Sequence, residues 1–331
     1  MRIFAAVLVG ITHSYAITGN ALLEPVHIVT GGRYYLSSIG LYIFFFTSGY
    51  LVTASAMNSK SLAAFLKKRV LRIYPALIVV VLLSVFVAGP LLTTFSVKNY
   101  FTDADTWKYL WTASGIRIRF RLPGVFERTG FAIGGFNGSL WSISLELQLY
   151  GLLLLLMLTG IFKRKKVLII TFITLIIVCF LMSGTAKYTT LMPDQKSLLL
   201  ACAFLFGGIV QTKIISKKIA IYLFIASGLL MIVKLTALIK VNILMDEVIF
   251  FSLATYFIAF TNWFTIRIKN DISYGVYIYT FPIQQFFFQI SGFNQSVLTN
   301  LLLSLFCSGI LALLSWKYIE KPALRYKTQF S

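Results

Sequence analysis

The sequence has 331 residues, of which 58% are hydrophobic and only 12% are charged. Soluble domains carry about 25% charged residues, so this composition excludes an ordinary soluble domain and indicates a protein embedded in a lipid bilayer. The formal net charge is +20, but the Lys and Arg residues lie in short gaps between apolar segments. We interpret them as the charges that orient membrane helices and contact anionic lipid, and we expect no nucleic-acid partner.

Apolar segments of about twenty residues, the length that crosses a bilayer, recur along the chain. They predict an all-α fold, a bundle of about ten transmembrane helices forming a single domain over residues 1–331. We expect the first segment to be a membrane helix because no small-residue cleavage site of a signal peptide follows it. The predicted spans are 3–18, 36–56, 71–93, 141–160, 166–183, 196–212, 218–236, 244–264, 273–291 and 297–317.

Positive charges predict the orientation of these spans. Roughly two thirds of the Lys and Arg fall in alternate gaps on one side, and about half of the others lie in the loop 94–140, whose length makes its charge a poor guide to side. Because the side richer in cations faces the cytoplasm, we expect both termini there and the protein in the inner (cytoplasmic) membrane. The loop 94–140 is then the only sizeable segment on the outer side.

His13 and Arg2 are the first candidates for function, because ionisable side chains in a membrane helix are costly. His13 comes eleven residues after Arg2, which places both on one face of a helix, about 16 Å apart along its axis. Histidine is suited to proton transfer near neutral pH. The alternative is a histidine that hydrogen bonds a neighbouring helix and serves only packing.

Arg69 and Arg72 form a second candidate group at the start of the third predicted span. Three residues apart, they are neighbours on one helix face, and paired guanidinium groups suit phosphate binding. The alternative for this pair is plain anchoring at the cytoplasmic interface, which is the role we expect for Lys67 and Lys68.

Glu146 is a third candidate, about two turns into the fourth predicted span. An ionised carboxylate at that depth needs a partner or a water-filled cavity. We name His13, Arg2 and the cations of the loop 94–140 as candidate partners, and a structural ion pair is the alternative role.

Other polar residues carry weaker signals. His27 is expected to be solvated in an outer loop, and Asp246 and Glu247 to lie at the outer edge of a span. The three cysteines have no metal-ligand spacing, so we expect neither a disulfide framework nor a metal site. Nucleotide-binding and serine-hydrolase motifs do not occur.

Six segments, in order, resemble the acyltransferase-3 family of membrane acyltransferases, which includes O-acetyltransferases of bacterial surface polysaccharides. The resemblance covers nearly the whole chain. The segments are the R-x10-H pattern of Arg2 and His13, FFFTSGYLV (44–52), FLKKRVLRIYPAL (65–77), NGSLWSISLELQLY (137–150), ISYGVYIYTFPI (272–283) and IEKPALR (319–325).

The resemblance implies transfer of an acyl group, usually acetyl, from cytoplasmic acyl-CoA to a saccharide hydroxyl. The acceptor would be lipopolysaccharide O-antigen, capsule, exopolysaccharide or a similar glycan, and acetyl-CoA a substrate rather than a resident cofactor. His13 and Arg2 would be catalytic, Arg69 and Arg72 would bind the coenzyme, and Glu146 would complete the site.

Two features depart from the family pattern. Many members have a histidine where this chain has Thr280, so we assign no proton-transfer role to that helix. Members usually have several residues before the arginine that corresponds to Arg2.

Two other functions would use the same features. A transporter or flippase for a lipid-linked glycan would use the intramembrane charges as its pathway. A polysaccharide polymerase would depend on the outer arginines Arg117, Arg119 and Arg121 but not on Arg69 or Arg72.

Overall fold

The computed structural model describes residues 1–127, 135–185, 195–236, 245–260 and 270–326. Within these ranges the regular structure is helical, apart from one isolated bridge between Arg121 and Gly135, which confirms the predicted all-α fold. The long helices are α1 (Arg2–Ile17), α2 (Leu36–Met57), α3 (Leu62–Leu83), α4 (Trp141–Leu158), α5 (Lys165–Thr185), α6 (Gln195–Gln211), α7 (Lys217–Leu235), α8 (Met245–Phe260), α9 (Ser273–Ile290) and α10 (Val297–Ser315).

Each long helix overlaps one predicted span, but a smaller number meets the length and apolarity needed to cross a bilayer. Among the described residues six segments do so, and two shorter apolar helices, α1 and α6, accompany them. The count of about ten membrane helices therefore stays a prediction. The six segments are Leu36–Met57, Leu62–Leu92, Gly138–Leu158, Lys165–Met182, Lys217–Leu235 and Val297–Arg325.

The chain divides into two compact units. The first comprises Met1–Ala5, Ser38–Phe65 and Leu149–Arg267, and the second comprises Ala6–Ser37, Leu66–Gln148 and Ile268–Ser331. Of the residues predicted to be functional, Arg2 belongs to the first unit, and His13, Arg69, Arg72 and Glu146 belong to the second.

Glycines let helices approach closely in the first unit. A Cβ at Gly49 of α2 would lie 1.8 Å from the carbonyl oxygen of Phe204, and one at Gly207 of α6 would lie 2.3 Å from the carbonyl oxygen of Phe46. Small residues at a helix contact allow such backbone proximity, which drives helix association in lipid. The short helix α6 is therefore fixed to α2 by backbone contact.

A buried ion-pair cluster joins α7 to α8 in the same unit. Lys234 donates to both carboxylate oxygens of Asp246, at 2.9 and 3.0 Å, and lies 3.9 Å from Glu247. Asp246 and Glu247 lie in the first turn of α8, at the edge of the predicted span, but they are 3% and 7% exposed and so are paired within the protein. The lysine near the end of the preceding helix compensates the cost of burying them.

In the second unit, α3 leads into the segment predicted as the outer loop. The helix continues through a π-helical turn, Ser84–Ala88, to Gly89–Leu92. The hydroxyl of Tyr100, in the short helix Val97–Thr102, donates to the Val85 carbonyl of that turn at 3.0 Å. Burial raises the pKa of Tyr100 to about 12. The loop thus contains short helices that pack on the end of α3.

Candidate active site

His13 lies near the end of α1 and contacts α9. Its ring meets that of Phe281 edge to face, with centroids 4.7 Å apart and planes at 87°. The imidazole is only partly buried. A titratable side chain is therefore held against an aromatic ring of the neighbouring helix, and its catalytic role stays a prediction.

A group of buried polar side chains holds α1 at Ser14, the residue that follows His13. The amide nitrogen of Gln284 donates to the Gly10 carbonyl and to the Ser14 hydroxyl, each at 2.7 Å. Ser14 donates to Asn300 of α10 at 3.1 Å, and the Asn300 amide donates to the backbone carbonyl of Gln284 at 2.9 Å. Ser14, Gln284 and Asn300 are all fully buried. We call these three side chains the polar clamp.

Pro282 determines a second contact of α9. Proline has no N–H, so the carbonyl of Ile278, four residues earlier, loses its usual partner within the helix. The side-chain amide of Asn137 donates to that carbonyl at 2.8 Å. Asn137 also caps the short turn that leads into α4 by accepting from the Ser139 N–H at 3.2 Å. The proline therefore creates the docking position for the start of α4.

Glu146 lies buried on α4, 3% exposed, near the same face of α9. It interacts electrostatically with Tyr277, whose hydroxyl lies 2.6 Å from the Ser142 hydroxyl and donates to the Ser139 carbonyl at 2.9 Å. Tyr277 precedes Phe281 by four residues, or about 6 Å along the helix. The residue of α9 that interacts with Glu146 therefore lies one turn before the residue that contacts His13.

Arg72 lies at the opposite end of α9 in an ion-pair cluster. It donates to Asp271 at 2.6 Å and lies 3.7 Å from Glu320. The Glu320 side chain is 2% exposed and accepts from Ser315 at 3.1 Å. These contacts bring together the first part of α3, the start of α9 and the segment after α10. They also give Arg72 a structural role that the sequence did not indicate.

Arg2, in the first unit, has its own polar contacts. Its guanidinium donates to the Ser48 hydroxyl at 3.3 Å and lies 5.1 Å from the centroid of the Phe44 ring. The Ser48 hydroxyl is in turn 3.4 Å from that of Tyr150. Ser48 lies in the segment FFFTSGYLV and Tyr150 ends the segment NGSLWSISLELQLY, so residues of three family-like segments meet here.

Sequence reasoning missed the polar clamp and Tyr277. Two adjacent glutamines, Gln284 and Gln285, interrupt an otherwise apolar helix, and uncharged polar residues in membrane helices often hydrogen bond across a helix contact. That signal was available. The second amide, Gln285, donates to the carbonyls of Gly135 and Phe136 at 2.6 and 2.9 Å and so holds the segment before α4 rather than α1.

The chain resembles known acyltransferases along almost its whole length. The sequence model of the family Acyl_transf_3, an acyltransferase domain, matches residues 1–317. An O-acetyl transferase of Shigella phage Sf6 is 30% identical over 334 residues, covering 98% of this chain and 94% of the phage protein. Nodulation protein 10 of Rhizobium leguminosarum bv. viciae is 35% identical over 172 residues, 50% of this chain and 44% of that protein. No solved structure shows significant similarity.

These similarities agree with the order of motifs in the sequence. The family match includes the segments of all the predicted site residues, and the phage relative extends over nearly the full chain. The prediction of an acyltransferase is therefore confirmed. The chain belongs to the acyltransferase-3 family and is a multi-pass membrane O-acyltransferase.

Proposed function

We propose that the protein transfers an acetyl group from cytoplasmic acetyl-CoA to a hydroxyl of a cell-surface or lipid-linked saccharide, with His13 as the general base. The observation that carries this proposal is the partly buried His13 imidazole against Phe281 of α9, one turn from Tyr277, with which the buried Glu146 interacts electrostatically. The phage relative supports acetyl as the transferred group, because that protein is named an O-acetyl transferase.

The proposed chemistry is a single acyl transfer. A sugar hydroxyl is a poor nucleophile until a base removes its proton. The His13 imidazole takes that proton while the hydroxyl oxygen bonds to the acetyl carbonyl carbon. The carbon–sulfur bond of the thioester then breaks, and the imidazolium returns the proton to the departing thiolate of coenzyme A. Proton, acyl group and leaving group balance without any further reactant.

The donor is proposed to enter from the side where Arg69 and Arg72 lie. Their guanidinium groups suit the phosphates of coenzyme A. Both are proposed to bind the donor there, with the Arg72 guanidinium held in place by two carboxylates. From Ser273 to Phe281 the rise along α9 is about 12 Å, which an extended pantetheine arm would cover to reach His13. Arg2 is proposed to hold negative charge of the donor.

Glu146 is proposed to serve the acceptor side. The segment 135–142 is held to α9 by Asn137 and Gln285 and leads directly into the helix that carries Glu146. A buried carboxylate there is suited to orient the imidazole or to accept a hydrogen bond from a sugar hydroxyl. The saccharide would then approach from the loop 94–140 while the coenzyme stays on the other side.

Mass spectrometry of surface polysaccharide tests the proposal in cells. Cells that express the protein should add acetyl groups to a glycan that otherwise lacks them, and His13→Ala should abolish the addition while His27→Ala, the matched histidine change, should keep it. Arg69→Ala should raise the KM for acetyl-CoA in membranes. Acetylation that persists in His13→Ala would refute the assignment of the base, and glycan export without acetylation would favour a flippase.

A further inference from the structure

The polar clamp lies directly beside His13. Ser14 follows His13 on α1, and Gln284 follows Phe281, the aromatic contact of His13, by three residues on α9. Residues three apart lie on the same helix face, so α9 contacts α1 at two neighbouring points, one aromatic and one polar. Any rotation of α1 that breaks the contact at Ser14 also moves the imidazole against Phe281.

The orientation of the Gln284 amide is determined by its partners. The Gly10 carbonyl can only accept a hydrogen bond, so the group that faces it must be the NH₂ and not the carbonyl oxygen. The Oε1 atom of Gln284 is buried and has no hydrogen-bond partner among the described residues. Both stabilising contacts of this side chain therefore depend on its N–H groups.

Asn300 braces the arrangement from α10. It accepts from Ser14 and donates to the Gln284 backbone and to the Gln295 side chain, at 3.1, 2.9 and 2.9 Å. With three helices joined by fully buried side chains, α1 has one preferred rotation. In an apolar interior, releasing any of these groups leaves a polar atom unpaired, which is unfavourable.

We propose that Gln284 is a positioning residue for acyl transfer: its amide N–H groups fix α1 on α9 and thereby set the orientation of the His13 imidazole. The inference rests on the proposed function, since it takes His13 as the base. Gln284 touches neither reacting group and acts only through the helix that carries His13.

The experiment uses the two histidines of the chain, His13 and His27. In a His27→Gln background, full-length protein labelled with ¹³C,¹⁵N-histidine and reconstituted in lipid nanodiscs gives imidazole NMR signals from His13 alone. Gln284→Leu removes the two N–H contacts at similar side-chain volume. Tyr279→Phe is the matched control, because it removes a buried hydroxyl of the same helix that hydrogen bonds Ser315 of α10 and not α1.

We expect Gln284→Leu to shift or multiply the His13 signals and to lower kcat by about 10- to 100-fold, the size of effect that a small misplacement of a catalytic group produces. The KM for acetyl-CoA should change less than about twofold, because positioning of the base leaves donor binding intact. Ser14→Ala, a milder change, should move the signals in the same direction with a smaller effect. Tyr279→Phe should leave the His13 signals in place.

Unchanged His13 signals in both Gln284→Leu and Ser14→Ala would overturn the inference, as would equal disturbance by Tyr279→Phe. The NMR readout does not depend on turnover. If His13→Ala retained full activity, the proposed function would fail while the signals would still report whether Gln284 orients the imidazole.

Discussion

Asn137→Ala should lower the unfolding free energy, because it removes the donor that compensates for the proline in α9. The Ile278 carbonyl has lost its helical donor because residue 282 is proline, and the fully buried Asn137 amide is the replacement, at 2.8 Å. An unpaired buried polar group costs about 1–3 kcal/mol and a lost cap about 1 kcal/mol. Because alanine also removes the cap on Ser139, we expect a loss of about 2–4 kcal/mol in unfolding free energy.

A second substitution separates the two contributions. Pro282→Ala restores an N–H that can donate to the Ile278 carbonyl, so it should recover about 1–3 kcal/mol in the Asn137→Ala background and much less in the wild-type protein. Thermal and denaturant unfolding in detergent, analysed as a double-mutant cycle, measures that coupling. Strictly additive effects of Asn137→Ala and Pro282→Ala would refute the view that the amide replaces the missing backbone donor.

Three further changes test the fold around the site. Arg72→Gln removes the cation beside the buried Glu320 carboxylate and should cost about 3–5 kcal/mol in unfolding free energy. A double variant with Glu320→Gln should recover that stability. A change in KM for acetyl-CoA without loss of stability would contradict this. Gly275→Ala puts a Cβ 2.8 Å from the backbone of α10 and should lower the Tm. Gly309→Ala, whose Cβ would have no atom within 4 Å, should not. Equal Tm values for the two variants would count against close packing of α9 on α10. Burial of Tyr100 favours the neutral phenol, so its contribution to stability should be present below about pH 10 and lost as the pH rises toward about 12. Between about pH 9 and about pH 11, Tyr100→Phe should lose less unfolding free energy than the wild type. An identical loss would disprove this.

The positions of the helices could be predicted from the sequence, because runs of apolar residues of a given length have few structural solutions in lipid. The second predicted span, 36–56, differs from the observed helix Leu36–Met57 by one residue. The predicted alternation of span ends between the two sides of the membrane stays a prediction. Which helices cross the membrane is a finer question, because length and apolarity alone qualify six segments in the part of the chain that the structure describes.

The partners of the buried polar groups could not be predicted. Asp271 and Glu320 lie far from Arg72 in the sequence, and no periodicity links residues that meet only after the helices pack. The burial of Asp246 and Glu247 depends on Lys234 at the far end of the preceding helix. The Ile278 carbonyl lacks a helical donor because Pro282, four residues later, has no N–H. The sequence of the helix shows that this carbonyl needs another donor, but it does not show that Asn137 supplies it.

Candidate residues were easier to identify than their geometry. His13 and Glu146 stood out because ionisable groups are rare in membrane helices, and the structure adds that their partners on α9, Phe281 and Tyr277, lie one turn apart. Gln284 carries no charge, and the sequence alone allows several roles for it that do not involve catalysis. Its importance becomes visible only when its amide is seen between Gly10 and Ser14.

The most direct test of the account is transfer of labelled acetyl from acetyl-CoA to a lipopolysaccharide acceptor by the purified protein in nanodiscs. His13→Ala and His27→Ala are compared with the wild type at saturating donor. We expect His27→Ala to keep near wild-type turnover. We expect turnover of His13→Ala to fall by about 10²- to 10⁴-fold, the usual contribution of a general base. Equal turnover by His13→Ala and the wild type would contradict it.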